Sequence, residues 1–507
     1  MGEREVRVAV IGAGMSGIGA AIHMRRAGID DFVVLERGGE PGGTWRDNTY
    51  PGCACDVPTA LYSYSFALKP DWSRAFAPQE EIRRYLLDVA AEHGVADRIR
   101  CDADVLAADW DGGRQRWLIR TSAGEYAARV LVSATGPWSE PVIPELPGLE
   151  SFEGKVFHSS RWDHEHDLGG ARVATIGSGA SAVQFVPEIQ PRVESLTVFQ
   201  RTAHWVLPKA DRPLGRRAHA LFRRYPVTQR ALRGGIYGTS ELLGVANRNP
   251  RLLAPLQAAG RRHLRRAVPD PELRRILTPD YTIGCKRLLF SNEWYPALSQ
   301  PNVDVVPHAV EEVRPHGVVG ADGVERAADT IILGTGFTIT DLPIAARIRG
   351  REGRSLEGAW QGSPTGYLGS VVNGFPNFFI LLGPNIGNGH SSAFVLSETQ
   401  IGYMVKGLRA MSRGNLASVE VRTETQKRFN VEVQSRLAGT VWNAGGCMSY
   451  YLDANGRNST MFPGSTLELR RRLGRFDLAD YATRVDEPAP VAACVGDVDR
   501  PGARTPA

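Results

Sequence analysis

The chain has 507 residues, 42% hydrophobic and 23% charged, too long for one compact core and ordinary for a globular protein of two or three domains. Its 60 basic and 55 acidic side chains leave a net charge of +5, too slight a bias to argue for nucleic acid or acidic lipid as a partner. No apolar run is long enough to span a bilayer, no secretory segment precedes the first strand pattern, and the six scattered cysteines suggest no disulfide framework. A cytoplasmic protein without stable membrane association is the expectation.

Residues 6–11 read as a buried strand and 15–27 as a helix closed by Gly28. Residues 31–36 read as a second parallel strand, completing a βαβ unit. Between the first strand and the helix lie Gly12, Gly14 and Gly17. Gly12 permits the tight turn, Gly14 lets the backbone approach a pyrophosphate, and Gly17 lets helix and strand pack closely. Glu36, roughly 20 residues on, is placed to bind a ribose hydroxyl and would repel a 2′-phosphate, so this site should hold FAD or NAD rather than NADP. Residues 129–136 form another core-strand pattern ending in a glycine turn, and the proline-rich stretch 137–147 reads as a linker.

A second βαβ unit begins at 172–176 and ends at 196–199, with Gly177, Gly179 and Ala182 at its turn. The place of Glu36 is taken here by Gln200, followed by Arg201 and Thr202. A guanidinium and a hydroxyl in place of a carboxylate suit a ribose 2′-phosphate, which points to NADPH. From about 211 to 280 the pattern turns Arg-, Leu- and Ala-rich and helical; an inserted helical subdomain with a solvated face is preferred to a membrane-surface helix. Strand character returns at 330–336 and 377–383, and the tail beyond about 486 is expected to be disordered. The fold class is therefore α/β, with two Rossmann-like dinucleotide-binding domains and an inserted helical subdomain. An FAD site plus an NADPH site implies a flavoprotein reduced by hydride.

Two longer runs carry a family resemblance. Phe152, Gly154, His158, Trp162 and Asp163 match Phe-x-Gly-x-x-x-His-x-x-x-Trp-(Pro/Asp). The segment from Gly42 to Asp56 matches (Ala/Gly)-Gly-x-Trp-x-x-x-x-(Phe/Tyr)-Pro-(Gly/Met)-x-x-x-Asp at every position. In these runs the chain resembles the type I Baeyer–Villiger monooxygenases, relatives of the flavin-containing monooxygenases, over about residues 6–464. The resemblance implies FAD contacts at Glu36, Thr44, Trp45, Arg46, Asp47, Asp56, Tyr62 and Val105. It implies an NADP site at Gln200, Arg201, Thr202 and Lys286, an essential active-site arginine at Arg287, and Asp56 as its carboxylate partner. Residues 383–392 are similar to the loop near the flavin ring, and 449–452 to a mobile segment in which many relatives carry Trp where Tyr450 stands. The implied organisation is an FAD-binding domain in two parts (1–139 and 337–485), a linker (140–153), an NADP-binding domain in two parts (154–209 and 284–336), the helical insert (210–283) and the tail (486–507).

The implied chemistry joins O2 and a small-molecule ketone through a C4a-peroxyflavin anion to give an ester or lactone. A permanently charged Arg287 suits that anion, and Asp56 would orient the guanidinium. The rivals are S- or N-oxygenation and, from another class, a non-oxygenating NADPH-flavin reductase. His158 is read as a conformational residue rather than a general base, and Trp162 as packing. The cluster His158, Asp163, His164, His166 and Asp167 is read as loop polarity rather than a metal site, and Cys53 and Cys55 as structural rather than a redox pair. Oligomeric state is left open.

Overall fold

The computed structural model describes residues 3–486; the expected disordered tail lies, apart from Asp486, outside the described residues. The strand Arg4–Ile11 ends in four fully buried residues, Val8 to Ile11, as a central parallel strand covered on both faces must. It pairs in parallel with Phe32–Leu35 on one side and Gly124–Ser133 on the other. Gly124–Ser133 also pairs in parallel with Phe378–Ile380, which brings a C-terminal segment into the N-terminal sheet. Antiparallel strands Arg116–Thr121 and Val105–Asp111 extend the same sheet, and Ile99–Arg100 edges it beyond Phe32–Leu35.

A second, five-stranded parallel sheet has the order Val303–Val306, Ser195–Phe199, Arg172–Ile176, Thr330–Leu333, Lys155–His158. In both sheets the strand before the glycine turn stands between its sequence neighbour and a strand from much later in the chain. The crevice outside the carboxyl ends of the strands at such a reversal is where α/β sheets bind ligands. Gly12 follows Ile11 there, and Gly177 follows Ile176.

Four helices, Arg216–Arg224, Pro226–Arg248, Ala254–Ala267 and Pro271–Ile276, make up the insert. Its longest helix is pinned to the first domain by the Arg233 guanidinium, which donates to the carbonyls of Ala60, Leu61 and Ser63 at 2.9, 3.2 and 3.1 Å. Among the described residues no helix is long and apolar enough to cross a membrane.

One expectation is corrected. Cys285 and Cys447 form a disulfide, while Cys53, Cys55 and Cys101 are free and Cys494 lies outside the described residues. The partners are separated by 162 residues, so no spacing rule could have paired them; the fold brings their Cα atoms to 6.1 Å.

Candidate active site

The helix Met15–Arg26 begins at Gly14 with no side-chain cap, which leaves its first N–H groups to face whatever occupies the turn. A Cβ on Gly12 (φ +98°) would lie 2.8 Å from the Ala134 carbonyl oxygen, and one on Gly17 only 1.9 Å from that of Gly12. Only glycine allows helix and strand this close. Gly14 approaches Gly43, whose own φ of +54° starts the short helix Thr44–Asp47. The result is a backbone-walled cavity lined by Gly12, Gly14, Glu36, Thr44, Trp45, Arg46, Asp47, Tyr62 and Val105.

Inside it, Glu36 is buried and fully engaged. Its Oε2 accepts from the Ala13 N–H at 2.8 Å, and its Oε1 from Gly38 N at 2.9 Å and Arg46 Nη1 at 2.7 Å. Arg46 also donates to Asp47 at 2.7 Å. Burial opposes the charge on Arg46, but the two carboxylates outweigh it and hold its pKa above the ordinary value. Trp45 Nε1 donates to the Tyr62 hydroxyl at 3.1 Å.

The second glycine turn repeats the arrangement. Gly179 caps the helix Ala180–Ile189 without a side-chain bond, and a Cβ on Gly177 (φ +108°) would meet the Gly334 carbonyl oxygen at 2.4 Å. Arg201, Thr202, His204 and Lys286 line the space beyond. Burial lowers the Lys286 pKa, and the neighbouring Arg201 charge lowers it further. The His204 imidazole is pushed down to about 4, first by burial and then by Lys286. Gln200 does not line the cavity; it is buried beside it with Nε2 unpartnered.

The wall of the first cavity at Thr44, Trp45, Tyr62 and Trp138 also lines a second cavity, of about 740 Å³, into which the Gly177–Gly179 turn opens. That lies within the roughly 300–1,000 Å³ of a ligand cleft. Trp45 and Tyr62 face it from the first site, Gly177, Gly179, Arg201, Thr202 and Lys286 from the second, and Asp56 and Arg287 between them. The Arg287 Nη2 lies 3.5 Å from Asp56 Oδ2, with 39% of the arginine side chain open to the void and 10% of the aspartate. Desolvation works against the Arg287 charge, yet Asp56 together with Tyr450, Tyr451 and Cys55 outweighs it and keeps the pKa above normal. The guanidinium is a fixed positive charge at any working pH.

Sequence reasoning missed the residue that holds Asp56. Gln184, on the helix that follows the second glycine turn, donates from Nε2 to Asp56 Oδ1 at 3.1 Å and to the Ala54 carbonyl at 3.0 Å. Its Oε1 accepts from the Tyr50 hydroxyl at 3.0 Å and from Ala54 N–H at 3.3 Å. The segment that carries Asp56 is thus fixed to the second domain by one amide. Trp138 was likewise unforeseen; it lines the cavity and packs edge-on against Tyr450 at 5.8 Å.

The residues discounted from the chemistry have other partners. His158 is buried, lies off the cavity, and pairs through Nδ1 with Ser160; burial first, partly offset by a bond to Gly336, pushes its pKa down to about 4. Asp163 pairs with Lys155, His164 with Thr49 and His166 with Thr330. Cys53 and Cys55 are free thiols, each pushed up to about 12 mainly by burial, so neither presents a thiolate for exchange. Trp162 stacks edge-on with Phe157 at 5.1 Å.

Comparison with known proteins follows the same lines. Residues 9–213 match the family described as pyridine nucleotide-disulphide oxidoreductase. A Baeyer-Villiger monooxygenase of Streptomyces coelicolor is 50% identical over 97% of this chain and 96% of its own length. One from Pseudomonas aeruginosa is 45% identical over 94% of this chain and 91% of its own. Among solved structures, cyclohexanone monooxygenase from Rhodococcus sp. Phi1 bound to NADP+ superposes with a TM-score of 0.86 at 26% identity, covering 96% of this chain and all of that one. An oxidized steroid monooxygenase bound to NADP gives 0.84 at 29%, covering 95% of this chain and all of that one. Two glycine-turn sites that adjoin at Thr44, Trp45 and Tyr62, a carboxylate-held arginine in the cavity of the second, and identity that runs nearly end to end place this chain in the Baeyer–Villiger monooxygenase family.

Proposed function

We propose that this flavoprotein monooxygenase uses FAD at the Gly12–Gly17 turn and NADPH at the Gly177–Ala182 turn to insert one atom of O2 beside a ketone carbonyl, giving an ester or lactone. The observation that carries the reading is Arg287, paired with Asp56, in the cavity that the Gly177–Gly179 turn shares with Thr44, Trp45 and Tyr62 of the first site. Two further features support the fit. The helices behind both turns start without side-chain caps, and Gln200 Nε2 is buried without a partner beside the turn where NADPH would sit.

When bound, reduced FAD supplies activated dioxygen; this chain's residues do the rest. Gly14, Gly43 and the N–H groups of Met15 and Ser16 would cradle the pyrophosphate of FAD, and the Arg46–Glu36–Asp47 network would shape the wall beside its ribose. Arg201 and Lys286 neutralise a 2′-phosphate, with Thr202 as an additional donor. Arg287, in the cavity beside both sites, would stabilise negative charge on oxygen, an effect that exclusion of water would magnify. Asp56, held by Gln184, fixes the direction of that guanidinium and tempers its charge. The test is the purified holoenzyme with NADPH, air and a panel of cyclic, linear and aryl ketones, products being identified by mass spectrometry. Esters or lactones at a rate matched to NADPH support the proposal. No ketone conversion, with tightly coupled sulfoxide or N-oxide formation, would replace it by the heteroatom reading.

A further inference from the structure

The disulfide joins two segments that the mechanism uses for other reasons. Cys285 stands two residues before Arg287, and Cys447 three residues before Tyr450. The wall formed by Met448, Ser449 and Tyr450 closes one side of the cavity opposite Trp138. Its root lies tightly on the arginine loop. The Thr282 N–H donates to the Gly445 carbonyl at 2.9 Å, and a Cβ on Gly445 would lie 2.6 Å from that of Cys285. Beyond Cys447 the hold loosens. Met448 is 88% exposed, and the N–H groups of Tyr451 and Leu452 bond only locally, to Ser449. Cys285 is fully buried, whereas Cys447 is partly open to solvent.

Resting on the monooxygenase reading above, we propose that Cys285 and Cys447 form a reversible thiol–disulfide site that fastens the Met448–Tyr450 wall to the Arg287 loop and slows turnover when oxidised. The oxidant is hydrogen peroxide, which this enzyme class releases whenever activated oxygen escapes without meeting substrate. The accessible Cys447 sulfur attacks one peroxide oxygen, breaking the O–O bond and leaving a sulfenic acid and water. The Cys285 thiol then displaces hydroxide from that sulfur. In sum, two thiols and one peroxide give one disulfide and two waters; a dithiol reductant reverses the change by taking up the disulfide bond itself.

The consequence follows from place. The wall borders the space that holds Arg287, and its Tyr450 packs on Trp138, so its position sets how open that space is to a ketone or an ester. With the thiols free, that wall pivots at Leu452 and at Gly446, whose φ of +80° and open surroundings allow it, while Gly445 stays bonded to the Thr282 N–H. With the cross-link made, its N-terminal end is fixed to the loop that holds the catalytic arginine. An enzyme that leaks peroxide would thereby brake itself.

The experiment uses the full-length holoenzyme, fully reduced with dithiothreitol or treated with stoichiometric hydrogen peroxide, alongside Cys447→Ser and Cys285→Ser. Peptide mass mapping should find a Cys285–Cys447 cross-link after peroxide and two separately alkylated cysteines after dithiothreitol. Hydrogen exchange across residues 445–452 should be slower in the oxidised form, and NADPH consumption in air should fall by about tenfold, as expected for a hindered gate. Both serine variants should keep the reduced-state behaviour in peroxide. The proposal is overturned if no cross-link forms, if native enzyme retains it in dithiothreitol, or if exchange and rate are unchanged on oxidation. Equal inhibition of the serine variants by peroxide also overturns it. Mapping and exchange do not depend on the organic product, so failure of the ketone reading would leave them interpretable.

Discussion

Replacing Arg201 by alanine tests the second nucleotide site where its two cations are most separable from the scaffold. Arg201 follows the strand Ser195–Phe199 by two residues, and its side chain faces solvent and the shared cavity, so truncation disturbs little packing. Arg201 and Lys286 line the same cavity, and the Arg201 charge helps lower the Lys286 pKa. A charge-assisted hydrogen bond contributes roughly 1.5–3 kcal/mol. For an exposed partner the lower half of that range applies, about 1.5–2 kcal/mol, which converts to roughly 10–30-fold in affinity. Steady-state kinetics with both nucleotides should therefore show KM for NADPH rising by roughly 10–30-fold while KM for NADH stays within about twofold. Arg201→Ala with Lys286→Ala should approach parity between the nucleotides. An equal loss for NADH and NADPH, or none for either, would refute the assignment of a 2′-phosphate to this pair.

Three other outcomes follow from the geometry. Gly17→Val, whose Cβ would overlap the Gly12 carbonyl, should yield protein that purifies without yellow colour and does not take up FAD on titration. Gln184→Leu removes the amide that fixes Asp56 and leaves a buried carboxylate one bond short, an effect of about 1–3 kcal/mol. Oxygenated product should fall roughly tenfold or more while the rate of flavin reduction by NADPH in stopped flow changes far less. Finally, with their pKa pushed up to about 12, Cys53 and Cys55 should resist iodoacetamide in the native enzyme at pH 8; rapid labelling of either would show that the thiols are less enclosed than their burial indicates.

What could be read from the chain divides by the range of the interaction. The strand–glycine–helix units at Ile11–Gly12 and Ile176–Gly177 are local, because a buried strand, a positive-φ turn and a helix start are each specified within a dozen residues. The resemblance carried Asp56 and Arg287 further than periodicity could, and the fold sets them 3.5 Å apart across 230 intervening positions. Contacts that depend on how the two domains meet left no such trace. Gln184 looks like any polar residue on a helix face until Ala54 and Asp56 arrive from the other domain. Cys285 and Cys447 read as scattered thiols for the same reason. Glu36 was legible as an acid at a strand end, but its bonds to the Ala13 N–H and Arg46 make it a keystone of the cavity wall as much as a ribose ligand.

The central claim is that a single guanidinium, Arg287, separates oxygen insertion from flavin reduction. It is tested most directly by supplying ¹⁸O2 to wild type and Arg287→Ala with NADPH and a converted ketone. The account predicts one ¹⁸O atom in the wild-type ester or lactone. In the variant it predicts flavin reduction by NADPH with peroxide as the oxygen product and no labelled ester. Wild-type yields of labelled ester from Arg287→Ala would contradict it.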